Sequence, residues 1–296
     1  MKAMPASGAG RDGRAGYGPP MAALLALVSS LMWGTADFLG GRASRRLPTI
    51  AVYGWSMLIG CVFLCIVATA TGGWSEPLGY LPWALLAAVA GFVGMNAFYR
   101  ALALGPMGII SPLVALSVLV PIAYGLLTGE SPTGLQVLGI LAAVVGVLLA
   151  SGPELSGAQS ARPLMYAGIA LVGFGVIFIA FDRGSEVSAL MTMTWMRIFV
   201  VACCALILLV TRRTGGVRRR DLPMLTTIGV FDAGANVLFG VATTLGLLSV
   251  TSVLGSLYPV VTAILAAVLL KERLRPVQYA GVVFAMAGVI LLGLSA

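Results

Sequence analysis

Ten times along this chain a run of about twenty residues passes with hardly a charge, long enough to span a bilayer's hydrocarbon core as helix. The runs are roughly 21–40, 49–71, 81–104, 108–128, 133–151, 163–182, 187–210, 222–246, 250–270 and 276–295. In lipid a spanning segment must satisfy its own backbone hydrogen bonds, so each run is expected to be a helix; the short alternating pattern of barrel strands is absent. Composition agrees. The chain is 59% hydrophobic and 9% charged, against about a quarter charged in a soluble domain. A single water-soluble core could not bury that much apolar surface. The expected class is an all-α integral membrane protein that crosses the bilayer many times.

The runs fall into two sets of five. Glu130, Gln136, Gly139 and Gly146 recur 142 positions later as Glu272, Gln278, Gly281 and Gly288. Trp55 and Asn96 recur at an offset of 140 as Trp195 and Asn236, and Asp37 and Asp182 stand near the end of the first segment of each half. The halves are 21–151 and 163–295, joined by a polar linker and preceded by a Gly-, Ala- and Arg-rich stretch, 1–19, read as a disordered tail. Five is odd, so the second half must enter the membrane upside down relative to the first. Two inverted five-helix repeats are a common construction of secondary transporters.

These residues carry a resemblance. The chain resembles the EamA-type branch of the drug/metabolite transporter superfamily in Tyr258-Pro259-Val260, in the turn Lys271-Glu272-Arg273-Leu274, and in the helix Gly281…Gly288. The first half repeats the pattern as Gly129-Glu130-Ser131 and Gly139…Gly146, and Arg197 lies in the second helix of its half, where this family often places an arginine. Two features depart from the pattern. Ser117 holds the position matching Pro259, with Pro121 one turn later, and Met57 stands opposite Arg197. The resemblance implies ten helices around a central cavity lined by the first, third and fourth helices of each half. It also implies export or uptake of small metabolites, and cytoplasmic termini.

Several chemistries are poorly served. The chain has no histidine, the usual general base and zinc ligand. Cys61, Cys65, Cys203 and Cys204 all fall within apolar runs and form no Cys-x-x-Cys pair, which reads as packing. No phosphate-binding G-x-x-x-x-G-K-[ST] run occurs. The aspartates beyond Asp12 (Asp37, Asp182, Asp221 and Asp232) are scattered, with no paired-acid or metal-binding run. No cofactor or metal is expected. A membrane enzyme and a non-transporting structural protein are the alternatives. The net charge of +8 sits mainly in short loops, where it marks topology instead of a nucleic-acid surface. The expected partners are a small-molecule substrate and the lipid bilayer of the cell membrane; the chain is expected to act as a monomer, with a dimer as the alternative.

Charged and amide groups at bilayer depth cost a few kcal/mol and so nominate the site. Asp232 lies near the middle of its segment, with Asn236 one turn on. Either this face lines the cavity, or Asp232 pairs with an arginine and locks two helices. Asn96 and Arg100 form the corresponding face of the first half. Arg197 is deep in its segment and needs a partner, Asp232 or Asp182. Asp37 is either an interfacial cap near Arg42, Arg45 and Arg46 or a ligand at the cavity mouth. Trp33 and Tyr258 could wall the pocket. Glu130 and Glu272 read as turn residues that satisfy backbone donors. Orientation carries a conflict: the loops after odd-numbered segments hold twelve Lys/Arg against four in the tail and other loops, which places the termini outside. The resemblance places them inside.

Overall fold

The computed structural model describes residues 18–44, 46–104, 114, 116–150, 161–211, 216–269 and 275–294. The tail 1–17, the Lys271–Leu274 turn and the early part of the fourth predicted segment lie outside the described residues. Among the described residues every regular element is helical: α1 Gly18–Ser44, α2 Thr49–Ala70, α3 Leu81–Leu104, α4 Leu119–Leu127, α5 Gly134–Ala150, α6 Ala161–Thr211, α7 Leu222–Leu245, α8 Leu248–Gly255, α9 Tyr258–Leu269 and α10 Pro276–Leu294. Five helices are long and apolar enough to cross a membrane, and four more are apolar but shorter.

The longest apolar stretch, Arg162–Leu206, would reach about 70 Å if straight, over twice a hydrocarbon core. It is two crossings. Ser188 alone leaves helical geometry, with φ −160° and ψ 111°. Its Oγ accepts the N–H of Met191 at 3.2 Å, the bond of an N-cap residue to the third residue of a new helix. Gly184 and Thr192, eight residues apart, come so close that a Cβ on Gly184 would sit 2.4 Å from Thr192 Cγ2, so the chain turns sharply here. The sixth and seventh predicted segments are therefore 161–187 and 189–211. Ser188→Ala is expected to cost about 1 kcal/mol by loss of the cap. Reversible unfolding in detergent measures it, and no change would mean that Oγ is not the cap.

The ninth crossing is broken in the opposite sense. α8 and α9 are separated by Ser256 and Leu257. Pro259 is the second residue of α9, and Pro121 the third of α4, which follows a 3₁₀ turn at Leu116–Val118. Both prolines fall inside predicted crossings, where a proline would kink a continuous helix. They stand instead in the first turn after a break, where a helix has no use for their missing N–H.

The repeat shows directly in local structure. α5 begins with a capping box: Thr133 N–H donates to Gln136 Oε1 at 2.8 Å, and Gln136 N–H to Thr133 Oγ1 at 3.3 Å. At α10 the matching Gln278 Oε1 accepts Arg275 N–H at 2.9 Å. The two helices then pack on one another through their glycines. A Cβ on Gly139 would meet Leu292, one on Gly146 would fall 2.3 Å from Ala285 N, and one on Gly288 would fall 2.6 Å from Ala143 N. As the number on α5 rises, the number on α10 falls, so the helices run antiparallel. The residues match across the repeat, too: Ala143 with Ala285, Gly146 with Gly288. Small residues let the backbones touch, as membrane helices require where no hydrophobic driving force separates helix from lipid. Here the inversion expected from an odd number of crossings appears as a direct helix contact.

The remaining packing alternates between halves. α1 lies on α7, and α3 on the first arm of α6 through Gly94 and Gly173. Glu130, after α4, accepts the N–H groups of Leu248 and Ser249 at 2.6 and 3.1 Å, the first donors of α8. Gly125 leaves room for that carboxylate. Glu130 thus satisfies backbone donors as expected, and those donors belong to the opposite half. Beside it Arg183 Nε donates to Tyr124 Oη at 2.8 Å, another link between halves at the same end of the bundle.

Candidate functional site

Four helices bring polar side chains to one place. α7 supplies Asp232 and Asn236, and α1 supplies Trp33 and Asp37; the second arm of α6 gives Arg197 and α9 gives Tyr258. Asp232 and Arg197 form an ion pair between Oδ2 and Nη2. Of the two partners the sequence allowed for Arg197, the structure selects Asp232. Asp182 instead lies within electrostatic range of Arg183, Glu186 and Glu130.

Arg197 is 0% exposed, whereas the Asp232 side chain is 25% exposed. The guanidinium is enclosed on the far side by α2. Its Nη1 contacts Met57 Sδ at 3.2 Å, and a Cβ on Gly60 would lie 2.8 Å from the same nitrogen, so only glycine leaves that slot open. Nε has no partner among the described residues. The buried charge is therefore held by one carboxylate and a polarizable sulfur.

Asn236 is buried and fixes Trp33: the indole Nε1–H donates to Asn236 Oδ1 at 2.9 Å. The indole then meets Phe239, Phe178 and Tyr258 at 5.6, 6.0 and 6.4 Å between ring centres, the last two edge to face. Gly34 and Thr262 set the approach of α9: a Cβ on Gly34 would fall 2.7 Å from Tyr258 O, and Thr262 Oγ1 donates to Gly34 O at 3.0 Å.

Asp37 behaves differently. It faces Asp232 and Tyr258 across the helix junction, within electrostatic range of both, yet its side chain is exposed. Among the described residues it has no hydrogen bond or ion pair. Of the arginines considered for it from sequence, Arg45 lies outside the described residues.

The first-half face is placed elsewhere. Asn96 is exposed and donates to its own Phe92 O at 2.8 Å; Arg100 is exposed and lies 5.8 Å from the Tyr166 ring centre. Among the described residues no hydrogen bond, ion pair or ring contact joins either to the Asp232 group. The loss of symmetry has a local cause. Phe178 precedes Asp182 by four residues as Trp33 precedes Asp37, so the second half has no indole N–H to offer Asn96. That spacing could have pointed to Phe178. Nothing in the sequence singles out Phe239, Gly60 or Thr262.

The sequence model of the EamA-like transporter family matches residues 20–152 and again residues 162–294. The chain belongs to the EamA-like transporter family. Each match covers one set of five crossings. This EamA-like chain also superposes on a solved protein described only as "Crystal structure of protein", with a TM-score of 0.77 over 91% of this chain and 95% of the other, at 18% identity. At that identity the likeness speaks for the fold. No curated protein matches the EamA-like chain. It is a multi-pass membrane protein of the drug/metabolite transporter type.

Proposed function

We propose that this chain is a secondary transporter that moves a small organic metabolite or drug across the cell membrane by alternating access, with Trp33, Asp37, Asp232, Asn236 and Tyr258 at its solute site. The observation that carries this reading is the unpaired, accessible Asp37 beside a closed ion pair at membrane depth. A carboxylate there is costly, and among the described residues no partner accounts for it. Asn96 and Arg100 of the first half remain candidates for the solute path from their exposure. Arg197 acts in this reading by holding Asp232.

The two halves suit a rocking motion. At one end they are joined by polar contacts, Glu130 to α8 and Arg183 to Tyr124, which can break and reform. Between the halves α5 and α10 make a dry contact of small residues about which they can tilt. Because the chain has no phosphate-binding loop, a gradient or exchange of solutes is the proposed drive.

Proteoliposomes containing only this chain, challenged with a panel of amino acids, nucleosides, sugars and aromatic amines, should show saturable uptake of at least one solute. Asp37→Asn should lower that uptake at least about tenfold, a change of about 1.4 kcal/mol in the transport barrier. Absence of saturable uptake across the panel would overturn the transport reading; undiminished uptake by Asp37→Asn would remove that residue from the path.

A further inference from the structure

We propose that the site selects organic cations bearing an aromatic or bulky apolar group, with the positive centre at Asp37 and the apolar part against Trp33 and Tyr258. This inference rests on the solute site proposed above and concerns the charge of what enters it.

The argument is a charge count over the groups that meet at the cleft. Arg197 and Asp232 neutralise each other. The guanidinium is fully buried, packed against Met57 and Gly60, so it cannot serve an anionic solute. That leaves Asp37, exposed and without a partner among the described residues. An anion entering the cleft would meet uncompensated negative charge, and a neutral solute would leave that charge unbalanced in a medium that screens poorly. A cation balances it.

The walls support the same choice. The Trp33 N–H is already given to Asn236, so the indole presents its ring and not its donor. Tyr258 stands edge-on to it at 74°, giving two aromatic surfaces at different inclinations beside Asp37. Aromatic faces attract cations and bury apolar groups. Phe178 and Phe239 back the indole and fix its plane.

Three probes of nearly one shape separate the possibilities: benzyltrimethylammonium, its uncharged isostere neopentylbenzene, and benzenesulfonate. Calorimetric titration into the full chain in lipid nanodiscs should show saturable binding of the ammonium alone. Asp37→Asn should weaken it at least about tenfold, while Asp37→Glu, which keeps the charge, should stay within a few-fold of the parent. Circular dichroism and chromatographic profile confirm that both variants fold. Equal binding of the neutral isostere, binding of the sulfonate, no binding of the ammonium, or binding indifferent to Asp37→Asn would each overturn the cation assignment. Saturable flux of only neutral or anionic solutes would overturn it while leaving transport intact; ammonium binding without flux of any solute would leave the cation site standing and sink transport.

Discussion

Gly146→Leu is expected to leave almost no correctly folded protein in the membrane. The Cβ alone would fall 2.3 Å from Ala285 N and 2.6 Å from Ala285 Cα, and both are backbone atoms of a packed helix. A side chain at the far end of a rotatable bond could swing away; a helix backbone must move as a body. Separating α5 from α10 would lose their mutual contact along its length, at a cost of about 3 kcal/mol, the upper part of the usual range for overpacking. Gly288→Leu should behave alike, since its Cβ meets Ala143 N and Cα at 2.6 and 2.8 Å. Gly168→Leu is the control, because a Cβ there meets nothing within 4 Å. Size-exclusion profiles of detergent extracts separate the outcomes. A monodisperse Gly146→Leu protein with the parent's melting temperature would mean that α5 and α10 do not touch in this way.

The second large effect concerns the ion pair. Arg197→Met should destabilise the protein by about 3–5 kcal/mol, because it leaves Asp232 without its cation. The double variant Arg197→Met/Asp232→Asn should recover much of that loss, since removing both charges removes the uncompensated one. Melting curves of the parent, the two single variants and the double complete a thermodynamic cycle. If the double variant loses the sum of the two singles, the pair is not coupled and the geometry is wrong.

The ten crossings, their duplication and a break between the sixth and seventh are legible in the sequence because lipid allows few alternatives, although the turn stands at Ser188 and not at 183–186. A long apolar run with internal hydrogen bonds is a helix, and an odd repeat inverts. The Arg197 partner was half legible. Burial physics demands a carboxylate for it, but only the neighbourhood of α6 and α7 decides between Asp232 and Asp182. Glu130 was legible as a residue serving backbone donors; that the donors lie 118 residues away was not, because nothing local marks the start of α8 as its target. The pairing of Trp33 with Asn236 is similarly hidden, since it joins residues 203 apart whose separate patterns give no hint of each other. Gly60 reads as one more small residue in an apolar run, and only the guanidinium beside it explains why no methyl fits there. The Asn96 and Arg100 face shows how a repeat can mislead: the offset carries Asn236 back to Asn96, but the indole that gives Asn236 its role has become Phe178.

The contact between Arg197 and Met57 has a consequence of its own. The two positions are 140 residues apart, the same separation that relates Asn96 to Asn236, so they are the same position in the two halves, and they touch. Equivalent points of a two-fold arrangement can touch only on its axis. Arg197 therefore stands at the centre line of the molecule, where one large cation fits and two would collide with like charge. An arginine in both halves is excluded by geometry and Coulomb repulsion together. The asymmetry of the halves at this position is what a single charge on a shared axis demands, and it obliges the carboxylate that answers it to come from one half alone.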